Sequence, residues 1–258
     1  LKPSKTHYIN MTYSHRVSKD VKYSVIADGT VVSDAIGMAY SLNDKTGTRT
    51  YFAKNVNGNW QSNLRGNVTY SKNALITNFI FGASHIQNAD FVGVGNDIDV
   101  TRNIVSTNSI NATISPSVRI KKHQLGIKLD GIYKHINNLN GSAASFDTWN
   151  FNSGVTALIQ PFSQFQIASD FTLYCRRGWQ TQSLNTNELV LNARMVYTTK
   201  NGKMSFIIDG YDILGQLSNI TCSINGQGRE EIRRNVLSQY GIFHFQYRLN
   251  HTPKKMHK

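Results

Sequence analysis

The stretch SINATISPSVRI at Ser109–Ile120 places an apolar residue at every second position. Ile110, Ala112, Ile114, Pro116, Val118 and Ile120 share one side, while Asn111, Thr113, Ser115, Ser117 and Arg119 share the other. Side chains on a strand point alternately to opposite faces, so a period of two specifies a strand with one apolar and one polar face. What the apolar face touches, a protein core or lipid, is the question that the remaining sequence bears on.

The same alternation recurs along the chain. Ile9, Met11 and Tyr13 alternate with Asn10, Thr12 and Ser14, and Trp60, Leu64, Val68 and Tyr70 with Gln61, Arg65, Asn67 and Thr69. Leu125, Ile127, Leu129 and Tyr133 face away from Lys128, Asp130 and Lys134, as Trp149, Phe151, Val155 and Ile159 do from Asn150, Asn152, Thr156 and Gln160. Phe165, Ile167, Phe171 and Leu173 oppose Gln166, Asp170 and Thr172; Leu189, Leu191, Met195 and Tyr197 oppose Asn192, Arg194 and Thr198. The last run sets Phe243, Phe245 and Tyr247 against His244, Gln246 and Arg248. With less regular runs near 21–42, 75–94 and 203–217, the chain is expected to form about eleven antiparallel strands. No segment has a helical period, and none reaches the roughly 18 consecutive apolar residues of a transmembrane helix. That excludes a helical membrane protein. A mean hydropathy of −0.36 looks soluble, yet a membrane barrel averages its two faces and gives a similarly weak signal.

The connections sort into two kinds. Tight ones lie near Val17–Asp20, Ser71–Ala74, Lys121–Gln124, Pro161–Gln164 and Lys200–Lys203. Longer ones, rich in Asn, Gly and Ser, lie at Asn43–Gly47, Val92–Val100, Asn137–Ser145, Gln182–Glu188 and Ser218–Glu230. They alternate strictly, so one rim of the sheet carries turns and the other loops, as in an up-and-down outer-membrane barrel. A soluble sandwich mixes hairpins with crossovers between sheets. The polar face, built of Asn, Thr, Ser, Gln and Arg, suits a wet lumen. Tyr70, Tyr133, Trp149, Phe162, Trp179, Tyr197 and Tyr247 fall near strand ends, where interfacial girdles stand.

The C-terminal third adds a resemblance. KMSFIIDGYDILGQLSNIT and RRNVLSQYGIFHFQYRLN resemble the closing strands of TonB-dependent receptor barrels of the outer membrane protein β-barrel family. Asp212–Ile213–Leu214–Gly215–Gln216 matches the family's element at the end of the penultimate strand, and Asn235, Leu237, Tyr240, Tyr247, Arg248 and Leu249 match its final strand. LKPSKTHYINMTYSHR, NVNGNW and VTRNIVSTNSINATISPSV are similar to other family segments, with Ser4 where an acidic residue is usual. Leu249 is aliphatic where an aromatic often closes the family's chain, and Asn250 leads on into HTPKKMHK.

The resemblance implies an all-β fold: a partial antiparallel up-and-down transmembrane β-barrel, with about eleven strands of a larger barrel. Residues 1–250 would be its C-terminal part and 251–258 a basic tail. It further implies nutrient uptake, of the glycan, peptide or siderophore class, in the outer membrane of a Gram-negative bacterium. The implied partners are outer-membrane lipid, the TonB energy-coupling complex acting through a plug domain, the barrel-assembly machinery and a surface lipoprotein. The alternatives are a passive porin or structural barrel, and a soluble secreted β-rich binding module. The opening LKPSKTHYIN lacks the apolar segment of an export signal, as expected of a cytoplasmic chain, a mature chain or a piece of a longer one.

The formal charge of +13 points to anionic partners. The basic residues are dispersed rather than gathered into a stripe, which argues against nucleic acid. Lys121–Lys122–His123 and the tail Lys254–Lys258 are read as solvated turns or ends, with a basic surface near anionic headgroups as the second reading. The eight histidines show no HxH or HxxxH spacing, Gly93–Val94–Gly95 lacks the strand-to-helix setting of a phosphate loop, and Cys175 and Cys222 form no ligand cluster. No metal, cofactor or enzymatic chemistry is therefore expected. The group most suggestive of a ligand is Tyr174, Arg176, Arg177 and Trp179, an arginine pair beside aromatics at the loop end of a strand, suited to an anionic or sugar-like molecule. Its plainer reading is a girdle whose arginines reach toward headgroups.

Overall fold

The computed structural model describes residues 1–43, 45–93, 100–138, 145–225, 228–235 and 237–249. Among the described residues it is all-β apart from one short 3-10 turn at Gln182–Leu184. The strands of the first half are β1 (Lys5–Arg16), β2 (Val21–Ser33), β3 (Ala35–Leu42), β4 (Arg49–Val56), β5 (Asn59–Lys72), β6 (Leu75–Gly93) and β7 (Val100–Ile120). Those of the second are β8 (His123–Asn138), β9 (Phe146–Phe162), β10 (Phe165–Arg177), β11 (Asn187–Thr198), β12 (Met204–Tyr211), β13 (Ile220–Asn225), β14 (Gly228–Arg233) and β15 (Tyr240–Tyr247). Eleven of these make one sheet in the order β1-β2-β5-β6-β7-β8-β9-β10-β11-β12-β15, every pair antiparallel. The sheet is not closed: β1 and β15 are its two edges.

The tight turns follow from local backbone chemistry. Lys72 pairs with Leu75 and Ile120 with His123, which leaves two-residue hairpin loops whose first residues, Asn73 (φ 53°) and Lys121 (φ 55°), take the left-handed conformation such loops require. Pro116 sits inside the central strand β7, where its missing N–H would break a ladder. The β7–β8 pairing accordingly skips Ser115 and Pro116 and resumes at Ser117↔Gly126.

Two expectations are corrected. The run near 21–42 is not one strand: it breaks at Asp34 (φ 53°), and β3 leaves the sheet to pair with β4 as a separate hairpin. Likewise Ser218–Glu230 is not a bare loop, because β13 and β14 pair there. The β3–β4 hairpin packs on the far end of β6, burying Ala39, Val56, Ala89 and Phe91, with Ala35, Phe52 and Ile104 against them. Gly37 lets the strands approach closely at this crossing: a Cβ there would stand 2.7 Å from the Asp90 carboxylate, 3.3 Å from the Phe91 ring and 3.4 Å from Val56, so these side chains would have to shift. This small cluster sits at the loop-side end of β6 and β7, on the side of the sheet that Phe79, Phe81 and Ile110 share. The tail 251–258 and the Val94–Gly95 end of the GxG sequence lie outside the described residues.

Candidate functional site

The sheet has two chemically distinct faces. On the apolar one, Ile9 is 58% exposed, Ile110 62%, Phe151 53% and Phe243 64%. No second layer of the described protein covers them, although these are side chains a soluble fold would bury. Two aromatic rows bound this face. Toward the loops stand Trp60, stacked on His85 with centroids 4.3 Å apart, and Tyr133 against Trp149 at 4.4 Å. Toward the turns stand Tyr13 with Tyr23 (5.9 Å), Phe162 with Phe165 (5.5 Å) and Phe206 with Phe245 (5.3 Å). Among the described residues, no Asp, Glu, Lys or Arg projects from this face between the rows; Asp147 and Arg177 stand at the loop-side row and Lys72 at the turns. Trp149 and Phe162 are thirteen residues apart on β9, about 43 Å along the strand at about 3.3 Å per residue.

The opposite face is a cross-strand hydrogen-bond lattice. Asn63 Nδ2 donates to Asp28 (3.1 Å), Asn152 to Asp130 (2.8 Å) and Asn192 to Asp170 (2.9 Å). In each pair the partners sit opposite one another on adjacent strands. Asp209, 4% exposed, is the most enclosed carboxylate of the lattice. Arg194 reaches both of its oxygens, Nε at 2.9 Å and Nη2 at 3.3 Å, and His244 Nε2 lies 3.0 Å away on the far side. A groove of about 440 Å³ runs beside them, bordered by Thr156, Asp170, Asn192, Arg194 and Asp209. Charges of both signs are tied here to one another and to amides, so this face presents a hydrogen-bonded polar surface.

The arginine–aromatic group does not converge. Arg176 and Arg177 are neighbours on β10 and so point to opposite faces. Arg176 reaches the buried Glu188 (3.7 Å) and donates to the Ile220 carbonyl (3.2 Å). Arg177 donates to the carbonyls of Arg176 (2.7 Å) and Thr186 (3.1 Å) and to Asn187 Oδ1 (2.7 Å). Trp179 lies in the following loop, held through Asn185 Oδ1 (2.9 Å) and packed near Phe146 (6.1 Å) instead of standing in the girdle. These side chains fasten the loop rim.

The C-terminal motif residues have definite local roles. Asp212 (φ 42°) steps out of β12 and accepts from the backbone of Gln216 (3.2 Å) and Leu217 (2.9 Å). Ile213 N donates to Leu191 O, and Gln216 Oε1 accepts from Leu189 N (3.2 Å), so this element continues the pairing of β11 where β12 has ended. Gly215 (φ 65°) makes its turn. Tyr240 opens β15 stacked on Tyr211 (4.9 Å), Tyr247 ends it opposite Met204, and Arg248 N donates to Lys203 O (2.8 Å). Asn235 and Leu237 precede the strand and are exposed, as is Leu249 after it. NVNGNW is a stapling corner: Asn55 bonds Lys2 and Asp34, Asn57 accepts from Asp34 N, and Asn59 pairs both ways with the Ala89 backbone.

Glu188 was not singled out by sequence, yet at 3% exposure it is the anchor of the loop rim. It accepts from Thr186 Oγ1 (2.6 Å) and Ser218 N (2.9 Å) and pairs with Arg176. A carboxylate at a position where its strand's polar face meets a loop was the available signal. Cys175 and Cys222 are free thiols, and among the described residues no group of three or more His, Cys, Asp or Glu is placed to hold a metal ion.

No family model and no curated protein matches this chain. Among solved structures, the chain is similar to the ferric-catecholate import receptor Fiu from E. coli K12 in its open form, with a TM-score of 0.36 and 10% identity. The match covers 95% of this chain and 62% of that one, so the chain spans less than two thirds of that receptor's length.

Proposed function

We propose that this chain is a wall segment of a Gram-negative outer-membrane β-barrel, the C-terminal part of a TonB-dependent-receptor-like transporter for nutrients of the glycan, peptide or siderophore class. The observation that carries the membrane reading is the uncovered apolar face, free of charge between two aromatic rows and backed by a hydrogen-bonded polar face. About twenty large side chains near half exposure leave on the order of 2,000 Å² of apolar surface bare, several times what a soluble monomer tolerates. Covering that area with hydrocarbon is worth on the order of 50 kcal/mol.

The open sheet supports a larger barrel. Both β1 and β15 run from the loop rim to the turn rim, so they cannot pair with each other antiparallel. Their unpaired N–H and C=O groups cannot face lipid either. Closure therefore takes an odd number of further strands between them. The receptor-type assignment rests on the resemblance of the closing strands, and the loops and polar wall are its share of substrate capture.

The test uses the intact protein. It should fractionate with outer membranes and need detergent for extraction; recovery in aqueous buffer alone would overturn the membrane reading. Uptake through it should stop when a protonophore collapses the inner-membrane gradient. Flux that continues would leave a passive barrel.

A further inference from the structure

Resting on that reading, the apolar face and the turn rim together point to a specific lipid. Across four strands, Val118, Leu125, Ala157 and Ser169 lie in one row through the pairings Val118↔Leu125, Leu125↔Ala157 and Ser169↔Ala157. Next to that row lie Pro116 and Phe171. Because Ala157 and Ser169 are small between these bulkier neighbours, the outward face is indented there by an open groove of about 500 Å³. The skipped pairing at Ser115–Pro116 lies on its border. The Ser169 hydroxyl donates its proton to the Asn192 carbonyl at 3.0 Å, and the groove's lining is mainly apolar, so it offers chiefly hydrocarbon contact.

Charge is distributed unequally between the rims. Lys19, Lys72, Lys121, Lys122, Lys200 and Lys203 stand in or beside the five tight turns, where Asp20 is the single acidic residue. The loop rim, by contrast, mixes Asp34, Asp147, Glu188, Glu230 and Glu231 with its bases. The paired lysines Lys121 and Lys122 form the β7–β8 turn, three residues below Val118 at the groove's lower end, or about 10 Å along the strand. Both are exposed. An acyl chain lying in the groove would thus bring its phosphate to the one turn that carries adjacent cations.

We propose that the groove between Pro116 and Phe171, with Lys121 and Lys122 beneath it, is a binding site for one anionic glycerophospholipid of the leaflet that meets the turns. The groove holds an acyl chain and the lysines hold the headgroup. This absorbs the Lys121–Lys122 cluster, which the transport reading leaves unused, and it accounts for small residues where a filled apolar row would otherwise pack.

The intact protein is assembled into nanodiscs of phosphatidylcholine and phosphatidylglycerol in equal parts, released into detergent, and its retained lipid identified by native mass spectrometry. The wild type retains one phosphatidylglycerol per chain in preference to phosphatidylcholine. Replacing both lysines, Lys121→Ser with Lys122→Ser, lowers that preference about 30-fold. Ala157→Phe, which fills the groove at an outward position, abolishes retention of either lipid. The control pair Lys72→Ser with Lys200→Ser removes equal charge elsewhere on the rim and leaves the preference intact. Equal retention of the two lipids by the wild type, or equal loss in the control pair, overturns the site while leaving the barrel standing. A protein that never enters nanodiscs overturns the membrane reading and the site with it.

Discussion

Thr113 and Ile114 are consecutive residues at one depth of the central strand β7, pointing to opposite faces. Ile114 is exposed on the apolar side, four residues below Ile110, which pairs with Tyr133 of the loop-side row, and six above Ile120 at the turns. Thr113 pairs with Asp130 across the β7–β8 ladder on the polar side. An arginine at position 114 would sit near the middle of the apolar band, where it costs roughly 2–4 kcal/mol in a bilayer. That lowers the folded-to-unfolded ratio by about 30- to 1,000-fold. At position 113 it faces water and the Asp130 carboxylate, and the cost is about 1 kcal/mol or less. The assay is urea titration of the intact protein in phosphatidylcholine vesicles, followed by tryptophan fluorescence. A 3 kcal/mol loss moves the midpoint by about 1 M if the slope is near 3 kcal/mol per molar. If both faces meet water, both substitutions stay within about 0.5 kcal/mol of wild type. Midpoints that coincide for Ile114→Arg and Thr113→Arg would refute the assignment of the apolar face to lipid.

Three further outcomes follow from the rim. Glu188→Ala strands Arg176 and the Ser218 N–H, and should cost about 3 kcal/mol, seen as faster limited proteolysis within the Ser218–Arg234 segment; unchanged cleavage would contradict the anchoring role. Gly58 adopts φ 108°, where a side chain is strained, so Gly58→Ala should cost about 1–3 kcal/mol and loosen the β3–β4 hairpin, read as tryptic cutting at Lys45 and Arg49. Asp212→Ala removes the acceptor of two backbone N–H groups and should cost about 1–2 kcal/mol, while Asp212→Asn keeps one oxygen acceptor and loses about half as much; a midpoint for Asp212→Ala equal to wild type would show that the turn holds without its cap.

The broad sheet was legible because its signals are local. A period of two assigns Ile110 and Asn111 to opposite faces without reference to any other strand, and the spacing of the runs places tight links near Ser71–Ala74 and Lys121–Gln124, which the register narrows to two-residue turns at Asn73–Ala74 and Lys121–Lys122. The hairpins were not legible for an equally physical reason. In AIGMAYSL the packed side is Ala35, Gly37 and Ala39, small residues that carry no alternation signal of their own and make sense only against Phe91, more than fifty residues away. The arginine pair misled for another cause: adjacency in sequence on a strand is separation in space.

By itself, the sequence determined the strand period, the membership of each face and the alternation of short and long connections, since each depends on neighbours a few residues apart. Only the tertiary structure decided which polar residues meet. Asp170 finds Asn192, and Asp209 lies between Arg194 and His244, through pairings of residues fifteen to thirty-five positions apart, and register between strands is not written in either strand alone. It also decided that no described element folds back over the apolar rows, because whether a face is covered depends on where the rest of the chain goes, and here the additional hairpins stay at the loop rim.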